Sequence, residues 1–316
     1  MEAWAYVGVG LVILLLGGDV LVKGAVNLAL RLGIPALIVS ITVVAFGTSA
    51  PELLIAIEAV LDGAPGLALG NVVGSNTANV LLVLGIPAII ATLDTSECDS
   101  RKTYIQMMAG SALFVALCFS GLLVWWHGLI LLAALTYVLG SQFAEAQAHR
   151  AAGEPVEEEE DLEGADPDMP GWKVGGLLVL GLAALPLGAS LLVEGAEDIA
   201  RKFGMSEAAI GLTLVALGTS LPELATTVMA AIRREADVAI GNVIGSNVFN
   251  LLAIIGVAVL IGPIPVGPKF LYFDLWVMLA ASLALVPFVF LRWKIGRTAG
   301  IVLTTLYVAY IFLVLT

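Results

Sequence analysis

Apolar residues run in blocks about 20 long from one end of the chain to the other, broken by Gly, Pro and small charged clusters. A helix of that length crosses roughly 30 Å of hydrocarbon. The blocks and their breaks predict ten spans, at about 4–22, 34–61, 66–92, 103–125, 128–144, 173–194, 206–232, 236–262, 269–291 and 298–315. Composition agrees with this reading. The chain is 60% hydrophobic and 13% charged, about half the roughly 25% charged residues of soluble proteins, and its mean hydropathy is +1.03. A water-soluble domain could not hide so much apolar side chain. An all-α polytopic membrane protein is therefore expected. Glu2 and no basic residue precede the first block, so it lacks the positive start of a cleavable signal and reads as a retained helix.

One connection is long. Residues 145–172 are rich in Glu, Pro and Gly, as in a flexible solvated linker, and they divide the spans five and five. Nine of the 26 acidic residues lie between Glu154 and Asp168; without them the net charge of −12 falls to about −3. The segment lacks the ligand alternation and central Gly of an EF-hand loop, and a solvated charge run is the preferred reading. The domains expected are 1–144, the acidic linker 145–172, and 173–316. Arg201, Lys202 and Lys269 lie on the side of both termini, and the other eleven Lys and Arg residues on the opposite side. The positive-inside rule then puts both termini outside and the acidic linker in the cytoplasm. Trp125, Trp126 and His127 fit an outer interfacial belt. No basic stripe suggests nucleic acid. Cys98 and Cys118 have no metal-ligand spacing and read as free thiols.

The two halves repeat each other. AFGTSAPEL at 45–53 matches ALGTSLPEL at 216–224, and GNVVGSNTANVLLVLG at 70–85 matches GNVIGSNVFNLLAIIG at 241–256. All pairs are 171 positions apart, and the same offset joins Gly10 to Gly181, Gly17 to Gly188, Gly24 to Gly195 and Gly33 to Gly204. Each half has an odd number of predicted spans, so the second half must be inverted. Inverted five-helix repeats, with broken helices at the midplane, are the signature of secondary transporters.

The matched motifs carry the chemistry. Glu52 and Glu223 each fall near the middle of a span, where a charge costs about 2.5–3.5 kcal/mol on insertion scales. No Lys or Arg lies in the central part of any span. A bound cation or a proton is the compensation that remains; permanently protonated glutamates bonding between helices are the blander alternative. Pro51 and Pro222 precede the glutamates and should break their helices, freeing carbonyls around Ala45–Thr48 and Ala216–Thr219. Unwound backbone is tolerated at that depth only where it is buried in protein or lines a cavity. Freed carbonyls, the hydroxyls of Thr48, Ser49, Thr219 and Ser220, and two carboxylates would make an all-oxygen cage, which suits Ca²⁺ and Na⁺ better than thiophilic metals. Asn71, Ser75 and Asn79 form a polar stripe on the third span, and Asn242, Ser246 and Asn250 repeat it on the eighth. Gly70, Gly74, Gly241 and Gly245 would permit close helix approach. Asn76 and Asn247 point about a quarter turn away and receive no role. Asp19, Glu58 and Asp274 read as interfacial.

These residues resemble the cation/Ca²⁺ exchanger superfamily, specifically its prokaryotic Na⁺/Ca²⁺ exchanger branch. The resemblance covers nearly the whole chain and rests on GTSxPE followed by GNxxGSNxxN, present twice. It implies ten helices, of which the first and sixth slide across the others. It also implies that Glu52, Glu223 and the carbonyls of Thr48 and Thr219 hold Ca²⁺. Na⁺ would use Ala45, Ser49, Ser75, Ala216, Ser220 and Ser246, with Asn79 and position 250 central. Some similar exchangers have aspartate where this chain has Asn250. Two carboxylates balance one Ca²⁺ but not three Na⁺, which leaves the Na⁺ count and H⁺ coupling open. The expectation is reversible Na⁺/Ca²⁺ exchange in a prokaryotic plasma membrane by a monomer, with no cofactor and no enzyme activity. The rivals are an H⁺-coupled antiporter of Ca²⁺ or another divalent cation such as Mg²⁺, a cation channel on the same scaffold, and an intramembrane protease using the paired acids.

Overall fold

The computed structural model describes residues 2–96, 98–152, 166, 168–204 and 216–315. The chain forms α1 (Glu2–Leu32), α2 (Ala36–Thr48), α3 (Ala50–Leu61), α4 (Pro65–Ile90), α5 (Arg101–Cys118) and α6 (Trp125–Ala152). After the acidic segment come α7 (Gly171–Lys202), α8 (Leu221–Ile232), α9 (Ala236–Ile261), α10 (Phe270–Phe290) and α11 (Arg297–Leu315). Among the described residues, seven helices are long and apolar enough to cross a membrane, or eight when bent α2 and α3 count as one span. The molecule is an all-helical polytopic membrane protein; a two-residue ribbon pairing Leu122–Leu123 with Ile264–Pro265 is a minor exception. The other two predicted spans correspond to α5 and to α8, and residues 206–215 of the predicted 206–232 span lie outside the described residues.

The centre of the bundle is α4 and α9. In the apolar window of each, 78% of residues are buried, against 17% in α6 and in α11. This contrast follows from composition: α4 and α9 carry the polar stripes and small residues, which need protein partners, whereas α6 and α11 offer apolar side chains to lipid.

The helix ends show how the repeat is built. Gly33 ends α1 with φ +64° and its counterpart Gly204 ends α7 with φ +82°, left-handed backbone that glycine adopts without a Cβ penalty. Gly63 ends α3 at φ +75°, and the matching residue after α8, Arg234, holds φ +63° although it has a Cβ. The turn geometry has therefore persisted where its glycine has not.

α1 packs along α7 more extensively than any other described pair. The helices run antiparallel and meet at their glycines. A Cβ on Gly10 would stand 2.6 Å from Leu192 N and 2.7 Å from Gly188 O, and one on Gly188 would stand 2.8 Å from Leu14 N. Gly17, Gly24, Gly181 and Gly195 make similarly close approaches to the opposite helix. Without a hydrophobic force between helices in lipid, such backbone proximity and van der Waals contact drive the association. Two further glycine contacts join Gly85 to Gly300 and Gly128 to Gly256.

Several boundaries differ from the sequence expectation. α1 continues ten residues past the predicted end at 22, because 25–30 is again mostly apolar and packs in the core. Helix α6 runs to Ala152, past the predicted start of the linker at 145. Lys102 pairs with Glu145 at 2.6 Å, tying α5 to the start of this extension, and Gln106 bonds to both Ser141 and Gln142 one turn before it. Asp274, expected at the interface, is buried and accepts a hydrogen bond from Tyr310 at 3.4 Å, since α11 covers it. Asp19 pairs with Arg233 at 2.6 Å. Cys98 and Cys118 form no disulfide, as expected.

Replacing Gly10 with Ala should lower the melting temperature of the detergent-solubilised protein by several degrees. The new methyl meets backbone atoms that cannot move aside, and such overpacking costs about 1–3 kcal/mol. Gly8→Ala, with nothing within 4 Å of its Cβ, should leave the melting temperature unchanged or raise it.

Candidate cation-binding site

Both predicted helix breaks are present. α2 and α3 meet at Ser49 with a 42° bend, where Ser49 adopts φ −84° and ψ 4°. In the second half a short turn, Ala216–Gly218, precedes α8, and Ser220 has φ −86° and ψ 2°. Pro51 and Pro222 each lie in the first turn of the following helix. There the missing N–H leaves no intrahelical bond unmade, so the prolines start new helices instead of distorting continuous ones. The Ala45 carbonyl, expected to be free, accepts from Ser49 N at 3.1 Å and from Thr48 Oγ1 at 3.3 Å.

Glu52 and Glu223 are each 1% exposed. Around them the two halves exchange partners. Thr48 Oγ1 lies 3.3 Å from Asn242 Oδ1, and Thr219 Oγ1 lies 3.4 Å from Asn71 Oδ1. Each bond joins the broken helix of one half to the central helix of the other. Ser49 donates to Glu223 Oε1 at 3.3 Å, and Ser246 lies beside the same carboxylate. Asn242 in turn donates to Glu223 O and to Thr227 Oγ1.

Of the other predicted site residues, Ala45, Ser75, Ser220, Asn79 and Asn250 are all buried. Ala216 lies in the turn before α8, and its side chain is not among those described. Several buried polar atoms have no hydrogen-bond partner among the described residues: Glu52 Oε2, Glu223 Oε2, Ser75 Oγ, Ser220 Oγ, Asn79 Oδ1, and both arms of Asn250. Buried polar atoms are normally paired. These unpaired oxygens, on α4, α9 and the two interrupted helices that carry the glutamates, are of the kind a hard cation takes as ligands.

Gly241 and Gly245 do bring α9 onto the broken helix. Their Cβ atoms would stand 2.7 Å from Ser40 Cβ and 2.6 Å from Ala45 Cβ, and Ser40 Oγ donates to Val238 O at 2.7 Å. Gly74 has nothing within 4 Å, and the residue matching Ile41 lies outside the described part. Sequence reasoning missed the π-helical stretches Ser40–Val44, Asn79–Val83 and Phe249–Ile254. It also passed over Thr227 and Met107. The 171-residue offset joining Met107 to Met278, both buried, was the available signal for the latter.

The two sides of the site are unlike. A cavity of about 210 Å³ reaches Pro51, Thr219 and Pro222 from between α3 and α7, where Pro186, Ala189 and Ser190 line it. At the repeat-related position α1 comes close to α8: a Cβ on Gly18 would stand 2.8 Å from Ala225 O, and the Asp19–Arg233 ion pair joins α1 to the end of α8.

The family model for sodium/calcium exchanger proteins matches residues 2–143 and 173–316. The chain belongs to the sodium/calcium exchanger family. Within it, the sodium/calcium exchanger MaX1 of Methanosarcina acetivorans is 34% identical, over 96% of this chain and 95% of that protein. The inner membrane protein YrbG of Escherichia coli is also 34% identical, over 98% and 95%. A solved structure of the sodium-calcium exchanger NCX_Mj, soaked with zero Na⁺ and Ca²⁺, superposes with a TM-score of 0.84 at 31% identity, covering 99% of both chains. The family is that expected from the repeated motifs, on its prokaryotic branch.

If the paired carboxylates hold a divalent ion, CaCl₂ should raise the melting temperature of this exchanger in detergent. At a hundred times the dissociation constant, a ligand bound only to the folded state stabilises by about 2.7 kcal/mol. Glu52→Gln should abolish the rise. An equal rise in that variant would place Ca²⁺ elsewhere.

Proposed function

We propose that the chain is a secondary antiporter that exchanges Na⁺ for Ca²⁺ by alternating access. The observation that carries this is the enclosure of Glu52 and Glu223, with no basic partner in the span centres, among oxygens that lack partners. In this reading Glu52, Glu223, Thr48 and Thr219 hold Ca²⁺. Na⁺ occupies overlapping oxygens at Ser49, Ser75, Ser220, Ser246, Asn79, Asn250 and the carbonyls of Ala45 and Ala216. Binding one ion excludes the other. The empty cage carries two bare carboxylates, which are costly to move through an apolar barrier, and that cost suppresses uncoupled slippage. Membership of the exchanger family and the name of MaX1 support this reading.

The architecture proposed is ten spans in two inverted five-helix repeats, 1–144 and 173–316, joined by the acidic segment 145–172. Support comes from the antiparallel contact of α1 with α7 and from the exchanged Thr–Asn pairs. With both termini outside, as the distribution of Lys and Arg favours, the open cavity belongs to the outer half and the Asp19–Arg233 side to the cytoplasmic half. The arrangement is then outward-facing. The protein acts as a monomer in a prokaryotic plasma membrane.

A second reading rests on Asn250. With two carboxylates instead of three, the cage can neutralise fewer monovalent cations, which favours H⁺ coupling or another divalent substrate such as Mg²⁺. Purified protein in liposomes separates these readings. Imposed Na⁺ gradients should drive ⁴⁵Ca²⁺ uptake at constant pH, and Glu52→Gln or Glu223→Gln should reduce it to the level of empty liposomes. Uptake driven by a pH gradient without Na⁺ would replace the first reading with the second.

A further inference from the structure

Beside the proposed cage, two asparagines and a sulfur form a chain. Asn79 Nδ2 donates to Asn247 Oδ1 at 3.1 Å, and Asn247 Nδ2 donates to Met107 Sδ at 3.7 Å. Asn76 Nδ2 steadies the same residue by donating to its backbone carbonyl at 3.2 Å. Asn79, Asn247 and Met107 are each 1% exposed, so water does not compete for these positions.

The two ends of an amide are chemically opposite but similar in shape, so a neighbour must decide which way each one faces. A thioether sulfur accepts hydrogen bonds weakly and has no hydrogen to donate. Met107 can therefore face only the NH₂ arm of Asn247. That choice turns the Asn247 carbonyl toward Asn79, where it can accept only from the Asn79 NH₂. The Asn79 carbonyl is then left on the opposite arm, and Oδ1 has no partner among the described residues. One sulfur sets two amides in succession.

We propose that Asn247 is a positioning residue for cation binding: oriented by Met107, it holds Asn79 with its carbonyl oxygen presented to the transported ion. This rests on the cage reading above, in which Asn79 supplies an oxygen. A reversed Asn79 would offer the cation an NH₂ group, which repels it. The other half lacks the device. Asn76, the repeat counterpart of Asn247, gives its NH₂ to a backbone carbonyl, and neither arm of Asn250 has a described partner. The ion thus meets a preset oxygen on one wall and an amide it must orient itself on the other.

The test is the half-saturating Ca²⁺ concentration for ⁴⁵Ca²⁺ uptake into proteoliposomes, measured for Asn247→Ala, Asn79→Ala, Met107→Leu and the doubles built on Asn79→Ala. Asn247→Ala should raise that concentration by about 10–100-fold, as loss of outer-shell partners of metal ligands does, with the maximal rate unchanged. Met107→Leu should shift it the same way by less. On the Asn79→Ala background both should add nothing, because the group they orient is gone. The inference fails if Asn247→Ala or Asn79→Ala is without effect, or if their effects multiply undiminished. Should Asn247→Ala not yield monodisperse protein, Met107→Leu with and without Asn79→Ala decides by the same criterion. Glu52→Gln separates the two levels. If it abolishes uptake while the Asn247 cycle multiplies, only this inference falls; if it leaves uptake intact, the cage reading falls as well.

Discussion

Two carboxylates enclosed together in an apolar interior are the constraint on which the rest of the structure depends. Glu52 and Glu223 are both buried, and no Lys or Arg from the centre of any span relieves them. Helix breaks, hydroxyls and amides surround them in answer to that cost. Each motif alone presents one glutamate on an interrupted helix, and the proposed cage requires the two halves to meet. The Thr48–Asn242 and Thr219–Asn71 pairs make this dependence physical, since each half supplies the wall that satisfies the other.

The repeat symmetry is broken where α1 and α7 meet the rest of the bundle. α1 and α7 are locked by glycines whose backbones nearly touch, so they form one unit that cannot be parted cheaply. That unit lies close to α8 on one side and leaves a cavity beside α3 on the other. The Asp19–Arg233 pair has no counterpart under the repeat, because the matching positions hold Ser190 and Asp62. In the proposed inverted repeat, identical halves would make the two arrangements equal in energy, and the Asp19–Arg233 pair is one difference between those halves.

Much of this was legible in the sequence because it depends on local pattern. The ungapped offset exposed the duplication, and Pro-Glu located both breaks within two residues; the paired glycines were read only as repeat matches, not as the α1–α7 seam they line. What escaped depends on which distant residues meet. The length of α1 was underestimated because Lys23 interrupts an apolar run that packing then continues. Asp274 was placed at the interface because nothing local announces that Tyr310 will cover it. Nothing local in the sequence announces the π-helical stretches, and the Met107–Asn247 contact and the bonds of Asn76 and Asn247 appear only with packing across the bundle.

Asn250 has a consequence for the energy the membrane can contribute. A cage with two ionised carboxylates is uncharged with one divalent ion and equally uncharged with two monovalent ones. A carrier neutral in both loaded forms moves no net charge, so the membrane voltage does no work on either half of its cycle. Its Ca²⁺ ratio across the membrane is then bounded by the square of the driving-ion ratio alone. A cell relying on such a carrier would hold its Ca²⁺ gradient steady through changes in voltage, at the cost of being unable to use that voltage to deepen it.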